Sequence, residues 1–240
     1  GGRAAGTFRA HGMLNKPKIE TILTGTGFSG LPDTIQPLIG AAPKLNASVS
    51  VDGNTISIAK LKLSGSGVQF DGGGMYRIGD ASKLRFDFVQ TEPLDISGNR
   101  FDLHAGTINV SGPASALEIG VASTGGVFEI ASRRVEQVAA TTTLGISGSR
   151  VSGPLAVIGK LAGERLDLTA DLVRADEGTL IENLNGAYGP LGITGRAEIS
   201  PVGDLVVLVN AEGDGLETED VQIESLRATV SIVKEGEDPM

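Results

Sequence analysis

The 240-residue chain has no cysteine and no tryptophan, and its only aromatics are seven phenylalanines and two tyrosines. Without cysteine there are no disulfides, no thiolate chemistry and no Cys-ligated metal. The redox compartment stays open, because a chain without thiols is indifferent to it. Compact cores usually lean on aromatic bulk, so this interior is expected to be lined by Leu, Ile, Val and Ala. Cations are also in deficit: 20 Lys and Arg against 29 Asp and Glu leave a net charge of −9, with a pI near 4.8. That balance argues against a nucleic-acid partner, which needs a cationic stripe to displace counterions, and against charge-driven adhesion to anionic headgroups. No run approaches the roughly 18 apolar residues of a membrane helix, and no signal peptide is visible. The chain opens Gly1-Gly2-Arg3 in mid-pattern, without an initiating Met. We expect it to be one continuous sheet-forming unit over residues 1–240 and a fragment of a larger protein.

What is present is alternation. The composition is 40% hydrophobic and 20% charged, with 35 glycines and 10 prolines, and disorder is not expected of so much ordered apolar content. Leu45, Ala47, Val49 and Val51 are interleaved with Asn46, Ser48, Ser50 and Asp52. Successive side chains of a strand point to opposite faces, so this segment has one greasy face and one wet face. The same pattern recurs at Leu84-Phe86-Phe88, Leu117-Ile119-Val121, Leu166-Leu168-Ala170-Leu172 and Ala228-Val230-Ile232. Leu205-Val207-Val209 differs, because Val206 and Leu208 make that strand apolar on both sides.

The order of elements follows. A weak strand around Phe8 and a better one at Ile19–Thr24 precede the one serious helical candidate, near residues 31–39, which Pro37 limits to a turn or two. Leu45–Val51 and Ile56–Leu63 form a hairpin about Asp52-Gly53-Asn54. Lys60 falls where an apolar residue is due, and a β-bulge near Ala59-Lys60 restores the face. Later strands arrive about every 8–12 residues, with turns expected at Ser97-Gly98-Asn99, Ser111-Gly112-Pro113, Ser152-Gly153-Pro154 and Tyr188-Gly189-Pro190. A loose apolar-x-Gly step, as at Ile146-Ser147-Gly148 and Ile193-Thr194-Gly195, is read as leading into a turn. The fold class is all-β. About seventeen or more strands exceed what an open sheet sustains flat, so the sheet is expected to curl into an elongated hydrophobic groove, with glycines at the bends.

Chemical motifs are weak beside this pattern. Gly25-Thr26-Gly27-Phe28-Ser29-Gly30 is a literal GxGxxG with Asp52 downstream. However, the helix that would hold a pyrophosphate contains Pro32 and Pro37, and no crossover helices follow. His11 and His104 are the only imidazoles. Asp102 with His104 makes neither a metal site nor a triad, and no G-x-S-x-G elbow exists. Asp167 and Asp171 read as a solvated strand face. The acidic run from Glu212 to Asp220, like Asp71-Gly72-Gly73-Gly74, lacks calcium-loop spacing. We therefore expect no enzyme, no catalytic residue, no cofactor and no metal.

The apolar face is what remains. Its expected lining is Val49, Val51, Ile56, Ile58, Leu84, Phe86, Phe88, Ile108, Val110, Leu117, Ile119, Val121, Leu166, Leu168, Leu205, Val207, Val209, Val230 and Ile232. A β-helical stalk or adhesin with a solid interior is the alternative.

Phe28 to Gly79 carries a likeness to known proteins. A short Pro-containing helix ends in Leu38-Ile39-Gly40, an alternating hairpin runs from Leu45 to Ile58, Leu61-x-Leu follows, and Val68 to Met75 passes through Gly72-Gly73-Gly74. This resembles the repeats of the TamB family and its AsmA-like relatives, and the later strands through Val233 are similar in style. The resemblance implies a taco-shaped β-groove in the periplasmic segment of an inner-membrane-anchored protein of a diderm bacterium. It also implies phospholipid transport between membranes, and support for outer-membrane protein assembly through a TamA-like insertase bound by regions outside this chain. It transfers no catalytic residues.

Overall fold

The structure, a computed structural model, describes residues 2–27, 36–96, 99–130, 133–176, 178–201, 204–217 and 222–234. The strands are β1 (Arg3–Met13), β2 (Lys16–Thr26), β3 (Lys44–Asp52), β4 (Thr55–Ser64), β5 (Val68–Arg77) and β6 (Ser82–Gln90). They continue as β7 (Leu94–Ile96), β8 (Asn99–Asp102), β9 (Ala105–Gly112), β10 (Leu117–Ile130), β11 (Arg133–Ser147) and β12 (Arg150–Leu161). The last are β13 (Glu164–Ala175), β14 (Gly178–Tyr188), β15 (Leu191–Ile199), β16 (Leu205–Glu217) and β17 (Gln222–Lys234). One helical turn, α1 (Gln36–Ile39), lies between β2 and β3; residues 31–35 of the expected helix lie outside the described residues. The fold is all-β, a single antiparallel sheet of seventeen strands that is curled and not closed.

Nearly every strand pairs with its successor. β1 pairs with β2, and the chain continues by hairpins through β6. From β10 it does so again to β17. The middle follows the same logic with two interruptions. β6 pairs with β9 while β7 pairs with β8, and β8 and β9 both lie against β10. Thus β6 with β7, and β8 with β9, act as two broken strands in one meander. The Gln90 side chain spans both breaks: its amide nitrogen donates to the carbonyls of Glu92 and Phe101, and its oxygen accepts the Leu103 N–H. These backbone groups would otherwise lose partners where the ladder stops.

The first hairpins follow the sequence pattern closely. The β3–β4 turn is Gly53-Asn54, with Gly53 at φ 55°. The bulge falls at Ala59-Lys60, where Ile58 faces Gly74 and Leu61 faces Gly72. β1 and β2 are longer than the short strands expected, at 11 residues each.

Two expected turns are strand interior instead. Ser152-Gly153-Pro154 lies inside β12, where Gly153 faces Leu172 and Pro154 faces Asp171. Ile193-Thr194-Gly195 lies inside β15, with Gly195 opposite Val209. These glycines bend strands rather than end them. On the β11 side the register passes from Thr142–Leu155 to Gly145–Ser152 without a pair at Pro154, which has no N–H to give.

The bend is visible at atomic scale. A Cβ added at Gly186 would stand 1.9 Å from the Asp167 carbonyl oxygen, and one at Gly153 would stand 1.9 Å from the Thr143 carbonyl oxygen. Both positions belong to the apolar face. On the polar face, away from the β4 bulge beside Gly73 and the strand end at Gly178, there is room: a Cβ at Gly145 meets nothing nearer than the Ser152 carbonyl oxygen at 3.6 Å. Crowding on one face and room on the other is what a sheet creased toward its apolar side requires. We expect Gly186→Ala to cost about 1–3 kcal/mol and Gly145→Ala to change stability by less than ~0.5 kcal/mol. Urea unfolding of the two variants checks this, and equal losses would remove the crease.

Candidate functional site: the apolar face of the curled sheet

Register settles which residues share the face. One row crosses the first half as Gly6, Leu23, Leu45, Leu63, Phe70, Phe88 and Gly106. It resumes as Ser123, Ala140, Val157, Leu168, Gly186, Ile193, Ala211 and Ala228. A neighbouring row holds Val49, Ile58, Gly74, Leu84 and Val110, and further on Val207 and Ile232. Followed through the ladder in this way, every residue expected to line the groove falls on the same face. Val51 faces Ile56, Phe86 faces Ile108, Gly159 faces Leu166, and Val209 faces Val230. Thr124 opposite Ala105 sets Leu117, Ile119 and Val121 of β10 on that side too.

This face is not packed solid. The buried apolar residues are Ala47, Val68, Phe88, Val138, Ala170 and Leu191. Of the expected lining residues only Phe88 is among them. Val230 and Ile232 are 49% and 50% exposed, and the remainder are half-buried. The accessible surface is 15151 Å², where a compact protein of 24.6 kDa would show about 10,000 Å². The excess is the signature of an open sheet, and among the described residues no second layer covers its apolar side.

Some lining residues were not legible in the chain. Phe101 and Phe128 face each other across β8 and β10 with ring centroids 5.3 Å apart. They reach the apolar side because the alternation slips at His104 and Gly125, which sit at φ 57° and 79°. Gly126 then stands opposite Val138, which is fully buried. Phe70 packs near Phe88 with centroids 6.3 Å apart, and the glycines that follow it mask its strand pattern. The phenylalanines all precede Arg133, and in the second half Tyr188, opposite Leu166, puts a ring on this face.

The opposite face carries the ions. Lys62–Asp71, Arg85–Asp87, Arg165–Asp167 and Arg227–Glu212 are exposed pairs, each contributing little on its own. The Glu212 carboxylate holds the Arg227 guanidinium above its usual range. In the β5–β6 turn the Asp80 carboxyl is held below its usual range, first by the Ala81 N–H that it accepts and then by Arg77.

The weaker motifs resolve into structural roles. Asp52, the acid downstream of the GxGxxG stretch, pairs with Lys16 at 2.7 Å, and residues 28–30 lie outside the described residues. Asp102 accepts the backbone N–H of His104 rather than its imidazole, and His11 is exposed opposite Lys18 on β1. Asp167 pairs with Arg165 and Asp171 accepts from Asn183. Among the described residues no cluster of three acids or histidines is placed to hold a metal.

An unpacked face makes a stability prediction. Phe86→Ala should cost about 1–2 kcal/mol, because the ring is only partly buried in the folded state. Phe88→Ala should cost about 3 kcal/mol or more. Urea denaturation distinguishes them, and equal large losses would mean that a packed layer covers both rings. Comparison of the chain with protein-family models, curated proteins and solved structures found no match.

Proposed function

We propose that the chain is a non-enzymatic lipid-shielding segment, in which acyl chains lie against the aliphatic face while the polar face stays hydrated. The observation that carries this is an apolar face that crosses the described strands in register, lined by Leu, Ile, Val, Phe, Ala and Gly, whose side chains the protein's own atoms bury only in part. Each methylene removed from water contributes about 0.8 kcal/mol, so a dozen methylenes hold a lipid without polar contacts. Branched aliphatic side chains suit flexible cargo because they present an even wall with no specific geometry.

Dimensions agree with this reading. A strand of about twelve residues spans roughly 40 Å at ~3.3 Å per residue. Creased near its middle, it yields walls of about 20 Å, compared with ~15 Å for one leaflet of hydrocarbon. Together with the TamB-like and AsmA-like pattern, this supports a segment of an envelope-bridging protein in the periplasm, anchored in the inner membrane. Its task is phospholipid transport, in support of outer-membrane protein assembly with a TamA-like insertase engaged elsewhere in the parent protein. The stalk reading has less support: it calls for a solid interior, and few of the apolar side chains are buried.

The test is extraction and mass analysis of lipid that copurifies with the chain. Ile119→Asp places a charge in the middle of the face, and Val49→Asp, Phe86→Asp and Val207→Asp do the same on three other strands. Folded Ile119→Asp protein is expected to lose its lipid in native mass spectra. Unchanged lipid carry-over in that variant would overturn the proposal.

A further inference from the structure

The polar face carries an ordered feature that the lipid reading does not use. Thr141 faces Ala156, which faces Thr169, and the line continues through Asn185, Thr194, Asn210 and Thr229. This is one uncharged row across seven successive strands, β11 to β17, in a chain whose net charge is −9. Apart from half-buried Ala156, every member of the row is exposed. From β11 to β16 the row borders open depressions. One open depression of about 390 Å³ is lined by Thr141, Thr143, Thr169, Asp171, Asn183 and Asn185, among others. A second, of about 500 Å³, shares Asn183 and is lined by Thr194, Arg196, Leu208 and Asn210. The two meet at Asn183 and together form a shallow trough beside the row from β11 to β16. Leu208, the apolar intruder on the wet side of β16, is part of its floor.

The chemistry of the row restricts what fits. Backbone N–H and C=O groups in a sheet interior are consumed by the ladder, so a ligand on this face meets side chains alone. A peptide would instead add at a strand edge, where main-chain groups are free. Each Thr hydroxyl donates and accepts, and each Asn amide does both. Thr229 Oγ1 donates to Asn210 Oδ1 at 2.8 Å, which keeps the Asn210 amide nitrogen as a donor. Among the described residues the side chains of Thr141, Asn185 and Thr194 make no hydrogen bond within the protein. From β13 to β17 donors and acceptors therefore repeat every ~4.8 Å, close to the length of one pyranose ring, and Thr141 continues the series beyond the gap at Ala156. Polyanions are disfavoured by the acidic balance of the chain, and beside the row Asp171 and Glu182 offer acceptors and Arg196 a donor to ligand hydroxyls.

We propose that this trough binds a neutral, hydroxyl-rich glycan, lying across strands β11 to β17 with about one sugar per strand. The inference goes beyond lipid shielding and does not rest on it, because the two sites occupy opposite faces.

Calorimetric titration of the whole chain with chitohexaose and with cellohexaose tests it. Saturable binding is expected for one or both, the preference reporting whether the acetamido group is read. In the double variant Asn185→Ala, Thr194→Val the loss of two hydrogen-bonding side chains should weaken binding about tenfold. The single variant Thr194→Val, nearly isosteric, keeps the test interpretable if the double variant folds poorly, and is expected to weaken binding by a smaller factor. Ile119→Asp, on the other face, should bind glycan as the parent does, so that failure of the glycan site and failure of the lipid site are read separately. No saturable binding of either oligosaccharide by the parent chain, or equal binding by the parent and both trough variants, would overturn the proposal.

Discussion

The constraint on which this molecule depends is the one-sided burial problem of a long antiparallel meander. Each hairpin satisfies its own backbone groups by pairing with the next strand, so the ladder can be extended without limit by local contacts. Its apolar side chains are not satisfied in the same way, because the described residues supply no second sheet or helical layer. The available remedy is for the sheet to crease toward its greasy side and let the two halves of each strand screen one another. Glycine is required where the crease is tightest, as at Gly153 and Gly186, because any Cβ there would meet a neighbouring carbonyl oxygen.

Creasing relieves the problem without ending it. The residues that become fully screened are few, and several lie near the middle of the sheet: Val68, Phe88 and Val138. Toward β17 the face opens, and Val230 and Ile232 stand half in water. A protein that retains so much solvated hydrocarbon gains less from folding than a compact one of its size. The arrangement makes physical sense when another hydrocarbon covers the face, which is the basis of the lipid proposal. The sheet separates two surfaces of unlike chemistry by the thickness of one backbone, and the polar surface is free to serve a different ligand.

Much of this was legible in the alternation. The period of two at Leu45–Val51, Leu84–Phe88 and Leu117–Val121 is enough to assign faces, because a strand has no other way to arrange successive side chains. The misplaced Lys60 revealed its bulge for the same reason. Failures came where backbone conformation departs from the extended form without a residue that announces it. His104, Gln137 and Asn183 adopt positive φ, and at such points the parity of the pattern reverses. Phe101 and Phe128 consequently joined the face unseen. Ser152-Gly153-Pro154 misled in the other direction, since a turn and a bent strand use the same residues.

The amino-acid sequence by itself determined the all-β class, the separation into a greasy and a wet face, the absence of cysteine chemistry and the acidic balance. Each follows from composition or from a period that local stereochemistry translates into geometry. Tertiary structure alone decided that the strands pair in chain order, that β6 and β8 run on through breaks held by Gln90, and that the apolar face is creased but left unfilled. It alone also aligned Thr141, Thr169, Asn185, Thr194, Asn210 and Thr229 into a single row. Register between strands is set by the sum of bulges, bends and cross-strand contacts, none of which any one segment of chain contains.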